Sequence, residues 1–159
     1  MSSLKLYETI SKESSLLRKQ GKQIVFTNGC FDLIHQGHKD LLHNSSKFGD
    51  ILIVGLNSDK SVKNLKGAER PMQTASERSQ SILKTGLVHR TYIFHEPTPL
   101  ELINAIRPDI LVKGGDYVKN DIVGSKEVLS WGGIIKIVPI TPGFSTTNTI
   151  KKMRRQGLV

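Results

Sequence analysis

The sequence predicts an α/β domain in which a parallel sheet of about five strands is wound on both faces by helices. Apolar runs of strand length recur at Ile24-Val25-Phe26, Ile51 to Leu56, Tyr92-Ile93-Phe94, Ile110-Leu111-Val112 and Ile134 to Val138. Helix-length segments separate them, and strands joined in that way are parallel and buried on both faces. Residues with reactive or charged side chains gather where the runs end, which is where ligands sit in a doubly wound sheet.

Residues 4 to 19 carry Leu4, Tyr7, Ile10, Leu16 and Leu17 among lysines and serines, a helix-like spacing with a polar face. Gly21 ends this helix, which is expected to pack on the domain and take no part in chemistry. A first strand over about 23 to 27 leads into Thr27-Asn28-Gly29-Cys30-Phe31-Asp32-Leu33-Ile34-His35-Gln36-Gly37-His38, and Leu41, Leu42 and Ser45 then give the inner face of a helix. Gly49-Asp50 precedes the second strand. Lys60 to Thr74, with Lys63, Lys66, Gly67, Arg70 and Pro71, is the least patterned segment and reads as a surface connection, a loop closing over a charged ligand being the alternative. Helices through Leu100-Ile106 and around Glu127-Val128-Leu129 alternate with the remaining strands, and a last helix is expected near Thr146.

The chain has 159 residues, enough for a single domain with a substantial core. A single cysteine excludes an internal disulfide and fits a reducing compartment. No run approaches a membrane span, and Met1-Ser2-Ser3-Leu4-Lys5 lacks a signal-peptide apolar region, so a cytoplasmic protein is expected. Lys and Arg number 23 against 14 Asp and Glu, a formal charge of +9. The basic residues are scattered apart from Lys151-Lys152-Met153-Arg154-Arg155, and aromatics for base stacking are few, so a small anionic substrate accounts for the charge at least as well as nucleic acid.

His35 and His38 flank Gly37 where a strand gives way to a helix. A helix N-terminus presents unpaired N–H groups and the positive end of the macrodipole, a glycine lets phosphate approach, and two imidazoles can each donate to its oxygens. Solvated helix-start residues are the plain alternative. Metal ligation is disfavoured, because zinc needs two further ligands and no second His pair lies nearby.

The stretch resembles the His-x-Gly-His signature of the cytidylyltransferase-like nucleotidylyltransferases, a Rossmann-like fold. The match covers about residues 22 to 154, dividing the chain into an N-terminal helix over 1–21 and a nucleotidylyltransferase domain over 22–159. Leu56-Asn57-Ser58-Asp59, Leu65-Lys66-Gly67, Arg70-Pro71, Pro108-Asp109, Ile122-Val123-Gly124 and Gly143-x-Ser145-Thr146-Thr147 are similar to the heptose 1-phosphate adenylyltransferases of lipopolysaccharide precursor assembly. Leu111-Val112-Lys113-Gly114-Gly115-Asp116-Tyr117 is the most discriminating segment.

The resemblance implies transfer of AMP from ATP to a sugar 1-phosphate with release of pyrophosphate. It implies Mg2+ carried by ATP, with no protein metal ligands assigned. His35, His38 and Lys47 would be catalytic, Lys47 standing where the family carries a phosphate-contacting lysine. Thr27, Asn28, Gly29, Cys30, Phe31, Gly37, Lys113, Gly115, Asp116, Ser145, Thr146 and Thr147 would bind nucleotide. Asp32, Asn57, Asp59, Arg70 and Arg78 would serve the sugar phosphate or the triphosphate, the two arginines through their guanidinium forks. Asp32 is open between helping magnesium and bracing its turn, and Arg78 between phosphate and a helix-surface ion pair.

A cytidylyltransferase acting on glycerol 3-phosphate, and a non-catalytic nucleotide or nucleic-acid binding module, are the competing expectations. His89 and His95-Glu96-Pro97 depart from acidic residues common in the family. A heptose 7-phosphate kinase is expected as a separate protein acting upstream, and a homodimer and a monomer both fit the sequence.

Overall fold

The computed structural model describes residues 2–115, 117–140, 150 and 154–155. Asp116, Gly143, Ser145, Thr146, Thr147 and the expected start of the last helix lie outside the described residues.

The Ser2 hydroxyl accepts the Lys5 N–H and opens helix α1 (Ser3–Lys19), and Gly21, in the left-handed region at φ 78°, turns the chain toward strand β1 (Ile24–Gly29). Helix α2 (Gln36–Ser46) and β2 (Ile51–Asn57) follow. Two helices then fill the crossover to β3 (Arg90–Phe94): α3 (Asp59–Lys66), capped by Ser58, and α4 (Ala75–Leu83), capped by Thr74. Most of the first half of the expected loop is therefore helix. Helix α5 (Leu100–Ile106), β4 (Ile110–Gly114), a 3-10 turn at Lys119–Asp121, α6 (Ser125–Ser130) and β5 (Ile134–Val138) complete the described elements.

The sheet runs β3-β2-β1-β4-β5, parallel at every pairing, with Phe26 opposite Ile53 and Leu111, and Leu111 opposite Ile135. One face carries Ile24, Phe26, Ile53 and Leu111 against Ile10 of α1, Ile103 and Ile106 of α5 and Val128 of α6. The other carries Val25, Leu52, Val54 and Val112 against Leu42 of α2 and Ile82 of α4. Burial on both faces explains the near-continuous apolar strands.

Polar residues stitch the lower edge. Asp109 accepts the Ile24 N–H at 2.8 Å and its own N–H reaches the Ile24 carbonyl at 2.9 Å, while Asp50 accepts the Gln23 N–H at 2.8 Å. His89 extends the β2–β3 ladder. Its Nδ1 accepts the Leu52 N–H at 3.0 Å and its N–H donates to the Leu52 carbonyl at 2.9 Å, so the imidazole supplies an acceptor that a carboxylate could also supply. Glu96 accepts from the Tyr7 hydroxyl, tying α1 to the segment after β3. Among the described residues no helix is long and apolar enough to cross a membrane.

Candidate active site

The chain order reverses between β1 and β4: β2 and β3 build outward on one side, β5 on the other. At such a switch point neighbouring crossovers leave the sheet on opposite faces and open a crevice beyond the carboxyl ends of the strands. A cleft of about 750 Å³ lies there. Asn28 and Gly29 at the end of β1 and Lys113 and Gly114 at the end of β4 form its floor, with Cys30, Asn57 and Leu41 beside them.

The β1–α2 loop is held in a costly conformation. Phe31 and Leu33 are both left-handed, at φ 50° and 56°, which for bulky side chains costs on the order of 1–3 kcal/mol each. The surroundings offset that strain. Phe31 is buried, the Leu33 N–H donates to Gln73 Oε1, and the fully buried Asp32 carboxylate accepts three bonds from one segment. Those bonds come from Arg70 Nε at 2.9 Å, Met72 N at 2.8 Å and Gln73 N at 3.0 Å.

The loop delivers His35 to the N-cap of α2 and His38 to its third residue. His35 Nδ1 accepts the His38 N–H, and His38 Nδ1 accepts the His35 N–H, a reciprocal capping box built from two imidazoles. An Nδ1 that accepts carries no proton, so each neutral ring holds its proton on Nε2. Burial lowers the His38 pKa to about 4, with the neighbouring His35 adding to the effect, and burial lowers His35 as well. Both rings are thus neutral donors at neutral pH, and both line the cleft together with Gly37. The N–H groups of Gln36 and Gly37 have no partner among the described residues, as expected for the open first turn of a helix.

Cations line the cleft as well. Lys66 at the close of α3, Arg70 and Lys113 line the cleft, against a single described carboxylate, Asp121. Burial lowers the Lys113 pKa, and its ammonium stands 5.7 Å from the centre of the Tyr117 ring. The remaining wall, Pro97, Pro99, Tyr117, Ile122, Val123 and Ile140, is largely apolar. One cleft therefore offers both phosphate donors and a surface for a flat or apolar group.

Of the residues expected from sequence, Asn28, Gly29, Cys30, Phe31, His35, Gly37, His38, Asn57, Arg70 and Lys113 meet in this cleft. The others among the described residues stand elsewhere. Arg78 is fully buried and donates to the carbonyls of Gln73, Cys30 and Asn57 and to Asp59 Oδ1, so it braces the floor rather than reaching a phosphate. Asp59 is spent on that ion pair and faces a second cavity between α3, α4 and β3. Asp32 braces its turn, and both its oxygens already accept. Thr27 is buried in the sheet beside Val54 rather than lining the cleft. Lys47 is the exposed C-cap of α2, roughly 13 Å along the helix from His38 at 1.5 Å per residue, and is not part of the cleft wall. Gly114 rather than Gly115 touches the cleft; Gly115 has φ 113° and turns the chain under Ile140.

Lys66 and the apolar wall were not singled out as site residues. The Leu65-Lys66-Gly67 motif carried a signal for Lys66, but no periodicity marks residues that meet only through loops. Among the described residues no cluster of His, Cys, Asp and Glu is able to hold a metal ion.

The profile of the cytidylyltransferase-like family matches residues 26–152. The chain is 54% identical over 135 residues to the bifunctional protein HldE of Koribacter versatilis, covering 85% of this chain and 28% of that protein. It is 46% identical over 152 residues to the bifunctional protein HldE of Trichlorobacter lovleyi, covering 96% of this chain and 31% of that protein. It thus spans less than a third of the length of these relatives. Among solved structures, a lipopolysaccharide core biosynthesis protein from Thermoplasma volcanium superposes with a TM-score of 0.61 at 27% identity, over 76% of this chain and 98% of that one. With the paired histidines at the switch point of a parallel sheet, these matches show that the chain belongs to the cytidylyltransferase-like family.

Proposed function

We propose that this cleft transfers AMP from ATP to the phosphate of D-glycero-β-D-manno-heptose 1-phosphate, releasing pyrophosphate, in the supply of lipopolysaccharide core precursors. The observation that carries the reading is the stacked pair of neutral imidazoles, His35 and His38, that lines the cleft at the N-terminus of α2. The HldE relatives and the lipopolysaccharide core neighbour support the choice of substrate.

A phosphate oxygen of the sugar 1-phosphate attacks the α-phosphorus in line, and the bond to the bridging oxygen breaks, leaving its electron pair on pyrophosphate. No covalent enzyme intermediate is needed, so the work is positioning and charge stabilisation. His35 and His38 donate to the oxygens on which charge grows, the Gln36 and Gly37 N–H groups add the helix terminus, and Lys66, Arg70 and Lys113 neutralise the anions. The adenine and ribose take the Tyr117–Val123–Ile140 wall. Mg2+ bound with ATP would offset the charge of the triphosphate, while Asp32, whose two oxygens already accept three bonds, braces its loop. The reaction belongs to the cytoplasm, where ATP is available.

The test is magnesium-dependent pyrophosphate release with ATP plus heptose 1-phosphate beside CTP plus glycerol 3-phosphate, each repeated with His38→Ala. Release with the first pair alone, lost in the variant, is expected. Release with CTP alone would keep the mechanism and replace the substrates, and silence in both would remove the enzymatic reading.

A further inference from the structure

Arg70 is an arginine used on one side only. Its Nε is held by Asp32 Oδ2 at 2.9 Å, its side chain is 12% exposed against 0% for Asp32, and it lines the cleft. Its Nη1 and Nη2 have no hydrogen-bond partner among the described residues. Asp32 meanwhile fixes the backbone that carries Arg70, through the Met72 and Gln73 N–H groups, and the Gln73 side chain answers by accepting the Leu33 N–H. Three donors on one buried carboxylate set both the place of the loop and the rotation of the guanidinium.

A guanidinium pinned at Nε keeps its outer Nη edge for one further planar, two-oxygen partner. We propose that Asp32 is a positioning residue that acts through Arg70, holding that outer edge toward a phosphate group of a substrate in the cleft. The proposal deepens the functional reading above and rests on it for the identity of the phosphate, which is either the nucleotide's or the sugar's. Lysine at position 70 would not serve. Its ammonium would be drawn to the buried Asp32 carboxylate and could not present a planar two-donor fork to the substrate.

The test is a binding cycle on the full chain, by calorimetric titration with inorganic tripolyphosphate and, separately, with glucose 1-phosphate. The proteins are wild type, Asp32→Asn, Arg70→Ala, Arg70→Lys and the Asp32→Asn/Arg70→Ala double variant. Loss of a charge-assisted fork corresponds to about 10- to 100-fold in affinity. Arg70→Ala is expected to weaken one probe by that factor, Arg70→Lys to weaken it as much, and Asp32→Asn to weaken the same probe. The double variant should bind no worse than Arg70→Ala. The probe affected names the source: tripolyphosphate for the nucleotide's phosphates, glucose 1-phosphate for the sugar's.

Multiplying losses in the double variant, or wild-type affinity in Arg70→Lys, overturns the proposal. Should Asp32→Asn not fold, Arg70→Lys decides alone, aided by rescue of Arg70→Ala with sub-denaturing guanidinium, which needs Asp32 to seat the added ion. Because the readout is binding, a wild-type protein silent in pyrophosphate release with an intact cycle refutes the function and not this proposal. Turnover with a multiplicative cycle refutes the proposal and not the function.

Discussion

The rings of His35 and His38 lie stacked, 3.7 Å between centroids and 19° between planes, each accepting the other's backbone N–H on Nδ1. The two imidazoles thereby close the helix as its cap and are fixed as donors in the same act. Removing either should cost at least about two orders of magnitude in turnover, the scale of a lost transition-state donor. The His35 cap separates the two roles. His35→Ala should also lose about 0.5–2 kcal/mol of stability, whereas His35→Asn keeps a capping side chain and recovers stability without turnover. Pyrophosphate release and urea unfolding, measured on the same two variants, check both halves; turnover restored in His35→Asn would reduce this histidine to a cap.

Acid should attack the same pair. The native His38 pKa is lowered from 6.5 to about 4 by burial and by His35. Between those values the unfolded chain binds a proton that the native state refuses, so stability rises with pH through this window. The contribution is complete above pH 6.5 and is lost as pH falls toward 4, by about 3 kcal/mol. Protonation at Nδ1 would also break the bond from the His35 N–H. Urea unfolding across this range should show the slope in the wild type and a flatter profile in His38→Ala; equal slopes would place the acid sensitivity elsewhere.

Arg78 gives the sharpest contrast between a residue's chemistry and its place. Four acceptors surround it, at 3.1, 2.8, 2.8 and 2.7 Å, and none of them is a ligand. Arg78→Met strands the carbonyls beneath Cys30 and Asn57 and leaves Asp59 unpaired. A stability loss of about 2–4 kcal/mol is expected by chemical denaturation, from buried carbonyls left without a donor at about 1–3 kcal/mol each, the half-exposed Asp59 carboxylate being rehydrated. Arg78→Lys should recover little of it, since one ammonium cannot reach four acceptors arranged around a fork. A loss below about 1 kcal/mol would show that the floor does not depend on this brace.

The strands were legible because burial on both faces writes itself as uninterrupted apolar runs, and β5 matches its expected bounds, Ile134 to Val138. The 60–74 segment was not. Helix α3 is short and mostly exposed, with Ser61 and Val62 alone buried, so it has little apolar periodicity to display. Its neighbour α4 did carry a signal in the Thr74-x-x-Glu77 spacing of a capping box, and the Thr74 hydroxyl does accept the Glu77 N–H. At the site, residue type was a good guide where one segment supplies the geometry, as in His35 to His38. It failed where partners come from afar. Arg70 and Arg78 look alike in the chain, and only the fold decides that one meets the cleft and the other meets carbonyls 21 and 48 residues away. The nucleotide-binding roles expected of Asp116, Ser145, Thr146 and Thr147 lie outside the described residues.

Lys113 offers a readout of phosphate binding that does not depend on turnover. Burial lowers its pKa from 10.5, because the ammonium is poorly solvated where it faces the cleft. A bound triphosphate supplies the missing negative partner and raises the pKa again. At alkaline pH, between the free and bound values, ligand binding must therefore draw in protons, and affinity must fall as pH climbs through that interval. Below the free value Lys113 is charged in both states and no proton moves. Titrations of ATP in buffers of different ionisation heat should show an uptake that appears only on the alkaline side and vanishes in Lys113→Met, together with weaker binding near neutrality. An uptake that survives Lys113→Met would mean that another cation, Lys66 being the next on the cleft wall, carries the linkage. No uptake in the wild type would mean that the bound phosphates do not approach the Lys113 ammonium.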